Sequence, residues 1–112
     1  MTHARIDFQR LQQDIQDLSA IGRDADRGIH RMAFSEGDLA GRRWFKERIL
    51  AADLDFYEDG AANLHGRLDW DGSRPSVMMG SHLDTVPGGG PLDGALGVLV
   101  GLEVLRTVKE SG

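Results

Sequence analysis

The sequence predicts an α/β domain: a mixed sheet with flanking helices in three layers, in the order α-α-β-β-β-α. Three observations carry that expectation. Two amphipathic, capped helical stretches come first; two short alternating runs joined by Asp59-Gly60 follow; and the apolar run Val77–Met79 leads through a glycine- and proline-rich loop into a long apolar helix.

Asp7 is placed to cap a first helix whose apolar residues Phe8, Leu11, Ile15, Leu18 and Ile21 share one face, with Gly22 as its stop. The opposite face carries Gln12, Gln13, Gln16 and Asp17, so this helix packs on a sheet and performs no chemistry. From Arg23 to Ala33 the pattern breaks into charge and glycine, which reads as a solvated surface loop with Arg23, Arg27 and Arg31 offset by Asp24 and Asp26.

Ser35-Glu36-Gly37-Asp38 has the hydroxyl-to-acid spacing of a capping box and opens a second helix that runs to about Ala52. Trp44, Phe45 and Ile49 supply its apolar side, while Arg42, Arg43, Lys46 and Arg48 form a solvated basic one. Leu54 and Phe56 alternate with Asp55 and Tyr57 as a first strand. Leu64, Gly66, Leu68 and Trp70 alternate with His65, Arg67 and Asp69 as a second. Val77–Met79 is too apolar to have a wet face and is expected as a third, central strand. The last helix, from about Gly94 to Val108, is apolar almost all round and needs cover on more than one side. Gly94, Gly97 and Gly101 weaken it but permit close packing.

Chemistry concentrates in the loop between that third strand and the last helix. His82 and Asp84 lie two residues apart, so an extended backbone sends both side chains from one face. A ligating histidine usually donates its second ring N–H to a carboxylate, carbonyl or water, which makes His82 a candidate metal ligand and Asp84 its orienter. Asp93 returns after Pro87-Gly88-Gly89-Gly90-Pro91, free to act as a second, carboxylate ligand. Spacing alone leaves a plainer reading open, in which the three residues form a loop salt bridge and Asp93 caps the helix.

Two rivals are weaker. A phosphate cradle of the GxGxxG kind would put Asp93 at the third glycine, where a carboxylate repels pyrophosphate. A Ser81 or Thr85 nucleophile lacks a partner, because the adjacent Ser81 and His82 would face opposite ways. His65 reads as an exposed strand residue, and His3 and His30 carry no assigned role.

The stretch GSHLDTVPGGGPLDGALGVLVGLEVL resembles the first metal-binding motif of the M20 metallopeptidase superfamily, and most of all its branch of N-carbamoyl-L-amino-acid and allantoate amidohydrolases, the hydantoinase/carbamoylase family. RMAFSEGDLAGRRWF, from Arg31 to Phe45, and AANLHGRL, from Ala61 to Leu68, resemble N-terminal segments of that branch in the same order. The sequence departs from the pattern at Leu92, where an aromatic is common, at Gly88, where asparagine is, and at Ala62, where glycine is.

The resemblance implies an incomplete zinc-exopeptidase-like catalytic domain, with residues 1–112 as the N-terminal part and the dimerisation domain and C-terminal half absent. It implies His82 as a metal ligand, Asp93 as a carboxylate bridging two ions, and Asp84 as the acid that orients the histidine. Zinc or manganese would serve, in hydrolysis of a linear amide or carbamoyl C–N bond of a small N-carbamoyl or ureido substrate. The glutamates and further ligands that complete such a site do not follow Asp93 here. The alternative expectation is therefore a truncated, non-catalytic remnant that folds or associates with partners. Family members are expected as homodimers, and a piece with uncovered edges would self-associate.

Composition narrows the classes. With 13 basic and 18 acidic residues the formal net charge is −5, and no lysine or arginine cluster is interleaved with aromatics, which argues against nucleic acid as a partner. The chain has no cysteine, so a metal would have to use histidine and carboxylate. The N-terminus MTHARIDFQR has no apolar stretch behind it, and Gly94 to Leu102 is far short of the roughly 20 residues that span a bilayer. A cytoplasmic protein without a membrane partner is the expectation.

Overall fold

A computed structural model describes residues 3–112 of the chain. Its elements run α1 (Phe8–Ser19), β1 (Arg23–Asp24), β2 (Gly28–Ile29), α2 (Glu36–Ala51), β3 (Asp55–Glu58), β4 (Leu64–Arg67) and α3 (Ala95–Glu110).

The helix ends follow their caps. The Asp7 side chain accepts a hydrogen bond from the Arg10 N–H, and the Ser35 hydroxyl accepts one from the Asp38 N–H. Asp38 in turn accepts from the Phe34 N–H at 2.8 Å, so the capping box closes on the residue before the cap. Gly22 ends the α1 region at φ +78°, and a Cβ there would meet the His30 carbonyl oxygen at 2.7 Å. Only glycine fits that position.

Helix α1 packs against α3, not on a sheet. Leu11 and Leu18 of α1 meet Ala95 and Leu99 of α3 in one buried cluster, while Phe8, expected on the same face, stays exposed. Beside that cluster Arg10 of α1 forks onto Glu103 of α3, whose side chain is fully buried, and Arg106 reaches back to Asp14. A second cluster joins Phe45 and Ile49 of α2, Leu54 and Leu102, with Phe56, Leu64 and Leu68 packed around it. The β3–β4 hairpin thus lies on α2. Arg42 of α2 fastens it by donating to Glu58 and to the Ala62 carbonyl. The basic side of α2 therefore does structural work that its sequence alone did not suggest.

Two features differ from the expected architecture. First, the sheet is not mixed, three-stranded or central: β1 pairs with β2 and β3 with β4, both antiparallel, in two separate two-stranded sheets. The observed order is α-β-β-α-β-β-α, and the expected third strand at Val77–Met79 is irregular, with Val77 96% and Met78 79% exposed. A strand exists only through ladder pairing, and no backbone group of these residues is paired among the described residues. Apolar content was a correct sign of a segment that seeks burial, but it cannot supply the neighbour.

Second, the expected solvated loop at Arg23–Ala33 contains β1 and β2 and is partly core. Ile29 is buried and Arg31 is 0% exposed. Its guanidinium donates to the carbonyls of Leu83, Leu18 and Ile21 at 2.9–3.0 Å. This segment also grips the chemical loop: Ile29 and Gly89 exchange backbone hydrogen bonds, and the Thr85 N–H donates to the Arg31 carbonyl at 2.8 Å.

Candidate metal centre

His82, Asp84 and Asp93 come together at the open end of α3. The His82 Nδ1 lies 2.9 Å from the Asp84 carbonyl oxygen and 3.2 Å from its carboxylate Oδ1. Both partners can only accept. Nδ1 must therefore carry the ring proton when the imidazole is neutral, which leaves the lone pair on Nε2. Nε2 faces Asp93 Oδ1 at 3.9 Å. That is too long for a hydrogen bond.

Asp93 does not cap the helix. Gly94 occupies the cap position with no side-chain hydrogen bond, and the Asp93 side chain is 75% exposed on the far side of the ring. Among the described residues its carboxylate has one charged neighbour, the His82 ring. Of the plainer reading, the helix cap is not observed, while the His82–Asp84 contact of a loop salt bridge is.

The donor set suits a borderline divalent ion. One neutral imidazole nitrogen and one carboxylate oxygen face each other without a thiolate, and bonds of about 2.0–2.2 Å to each would span the gap between them. Among the described residues no group of three or more His, Cys, Asp or Glu side chains is placed to share one ion. The described residues thus present two candidate donors and not a complete site.

Backbone geometry holds the ring in place. Gly94 has φ +73°, and a Cβ there would lie 2.3 Å from His82 Cε1 and 2.4 Å from Nδ1. The ring is seated where a side chain would otherwise be. Gly97, one turn on, similarly makes room for Ser81, whose Cβ would be 2.7 Å away from an added methyl. His82 and Asp84, together with Phe34, Asp38, Arg42 and Asn63, line a cleft of about 220 Å³ between the start of α2 and the β3–β4 turn.

Other candidates resolve differently. The Thr85 hydroxyl is buried, accepting from the Arg31 N–H at 2.9 Å and donating to the Ile29 carbonyl, so it is not a nucleophile. Ser81 makes no hydrogen bond to His82 among the described residues. His65 is half-buried and bonds Asp59 at 3.0 Å. With the Asn63 and Ala61 N–H groups, that contact holds the Asp59 carboxyl well below the usual carboxylate range.

Sequence reasoning placed Arg31 in a solvated loop, weighed Thr85 only as a nucleophile and Gly94 only for helix packing, and so missed what each does here.

Comparison with known proteins places this geometry in context. The family described as Peptidase family M28 matches residues 63–112, which include all three site residues. The crystal structure of a hydantoinase/carbamoylase family amidase from Burkholderia ambifaria superposes with a TM-score of 0.92 at 38% identity, covering 99% of this chain and 28% of that one. The chain is related in sequence and fold to the hydantoinase/carbamoylase family. Within that kinship, the N-carbamoyl-L-amino-acid amidohydrolase of Pseudomonas sp. (strain NS671) is 38% identical over 112 residues, covering 99% of this chain and 27% of that protein. The allantoate amidohydrolase of Escherichia coli (strain K12) is 37% identical over 100 residues, covering 88% of this chain and 24% of that protein. The chain thus spans about a quarter of the length of these curated relatives.

Proposed function

We propose that this chain contributes the first metal-ligand pair of an M20-type amidohydrolase that cleaves a linear amide or carbamoyl C–N bond. The single observation that carries the reading is the His82 ring: its Nδ1 is bonded to Asp84 and its Nε2 is aimed at the Asp93 carboxylate. The relatives named as N-carbamoyl-L-amino-acid and allantoate amidohydrolases support the substrate class, a small N-carbamoyl or ureido compound.

His82 Nε2 and Asp93 would hold the ion, zinc or manganese, with Asp93 able to bridge to a second through its other oxygen. When bound, such an ion lowers the pKa of a water and polarises the scissile carbonyl. The chain's own residues keep the Nε2 lone pair available: the Asp84 carbonyl and carboxylate retain the ring proton on Nδ1. The cleft beside His82 gives a substrate side access to the same ring. A general base and further ligands would come from outside these residues. A cytoplasmic, homodimeric whole enzyme is part of the same proposal.

A chimera tests it. With this chain in place of the matching segment of the Pseudomonas enzyme, divalent-metal-dependent hydrolysis of N-carbamoyl amino acids is expected, and His82→Ala or Asp93→Ala should abolish it. A folded chimera whose turnover survives Asp93→Ala contradicts the reading.

A second reading has its own observation. Among the described residues no more than two candidate ligands face each other, and Val77–Met79 is exposed, which favours a non-catalytic remnant that associates with partners. Turnover by the 112-residue chain alone would exclude it.

A further inference from the structure

We infer that Arg31 is a positioning residue for the metal-ligand loop, holding His82 at the angle that points Nε2 toward Asp93. The inference deepens the proposed function and rests on its reading of His82 as a ligand.

The argument starts from a cost. A fully buried guanidinium loses its hydration, and here no carboxylate bonds it directly. Burial lowers the Arg31 pKa, with only the more distant charges of Asp38 and Asp84 opposing. Such a residue is an expensive way to fill a core, so its hydrogen bonds should reveal what it achieves.

They converge on the loop. Nε donates to the carbonyl of Leu83, the residue between His82 and Asp84, at 2.9 Å. Nη1 donates to Leu18 and Ile21 at the end of α1, at 2.9 and 3.0 Å. The main chain of Arg31 is locked to Thr85 in both directions, N–H to Oγ1 and carbonyl from N–H. Gly41 of α2 leaves space for the stem, since a Cβ there would stand 3.0 Å from Arg31 Cδ. One side chain therefore references the His82–Asp84 peptides to both α1 and α2.

A planar fork is needed for this. A lysine ammonium is a point donor and cannot serve carbonyls that lie at different edges of the guanidinium plane. The loop's other main-chain hydrogen bonds to the rest of the fold lie further along, at Thr85 and Gly89, and Leu83 is otherwise held by its side chain in the core, so Arg31 supplies the polar hold on the Leu83 carbonyl.

The test compares the ¹⁵N-labelled 112-residue chain with Arg31→Lys and with a control, Arg10→Lys, which weakens a different interhelical contact to Glu103. Both variants should melt at lower temperature. Only Arg31→Lys should lose the nuclear Overhauser effect between the His82 ring Hε1 and the Gly94 Hα protons, and only it should weaken Zn²⁺ binding, by about tenfold. Retention of that effect in Arg31→Lys overturns the inference. Should Arg31→Lys not fold, replacing the Leu83–Asp84 amide by an ester weakens the Leu83 acceptor while leaving every side chain intact. An attenuated effect then supports the inference, and an unchanged one overturns it. Loss of the effect in a chain whose wild type binds no Zn²⁺ supports the positioning role and counts against the metal reading alone.

Discussion

The α-carbon of Gly94 occupies the ground on which the His82 ring rests, so that a methyl group at residue 94 would stand 2.3 Å from Cε1. Two independent penalties meet there. Residue 94 has φ +73°, which costs a non-glycine residue about 1–2 kcal/mol, and the added carbon must also move the ring or the helix. Gly94→Ala should therefore destabilise the chain by more than backbone strain alone and shift the His82 ring resonances. Gly72→Ala, at φ +77° near Trp70, is the control for strain without the ring. Equal effects of the two substitutions on His82 would contradict the steric account.

The orientation of His82 should survive loss of the Asp84 carboxylate. The nearer acceptor to Nδ1 is the main-chain carbonyl of Asp84, at 2.9 Å against 3.2 Å for Oδ1. Asp84→Asn retains that carbonyl, so ring ¹⁵N shifts should still report the proton on Nδ1. A switch of tautomer in Asp84→Asn would assign the control to the carboxylate instead.

Acid should loosen the packing of α1 on α3 through Glu103. Burial pushes the Glu103 pKa up, but hydrogen bonds from Arg10 and from the Asp7 N–H, with the Arg10 charge, outweigh it and leave the value below its ordinary 4.5. A depressed folded-state pKa means the contribution is fully present above the unfolded value and disappears as pH falls through the folded one. Glu103→Ala should cost about 2–4 kcal/mol, less than a wholly buried pair because Arg10 is partly exposed and keeps Glu110. It should also flatten the acid limb of a stability-against-pH curve. An unchanged acid limb would show that other carboxylates control it.

Ala62 stands in a glycine conformation, at φ +66°, in the turn between β3 and β4. Ala62→Gly relieves the left-handed strain of about 1–2 kcal/mol but adds about 0.4–1 kcal/mol of unfolded-chain entropy, so a net gain of up to about 1.6 kcal/mol is expected. Urea unfolding at constant m-value checks it, and a loss of stability would contradict it.

What could be read from sequence was what local chemistry decides. Asp7 and Ser35 announced their helices because capping is a matter of a few residues, and Asp59-Gly60 announced the hairpin turn. The conjunction of His82, Asp84 and Asp93 was equally local, since one glycine-rich loop closes it. Arg31 was not legible. Its burial depends on carbonyls at Leu18, Ile21 and Leu83, which the fold supplies from opposite ends of the chain, and β1 and β2 are too short to leave a period. Val77–Met79 misled in the other direction, because apolar composition records a preference for burial while pairing needs a neighbouring strand.

The central claim, that His82 and Asp93 face one divalent ion, is most directly tested by adding Mn²⁺ to the ¹⁵N,¹³C-labelled chain and following paramagnetic broadening, which reports even weak binding. The account predicts that the His82 ring and the Asp93 carboxylate resonances broaden first and together, and that Asp93→Ala weakens the broadening at His82. Broadening centred on other carboxylates, with His82 and Asp93 left sharp, would contradict it.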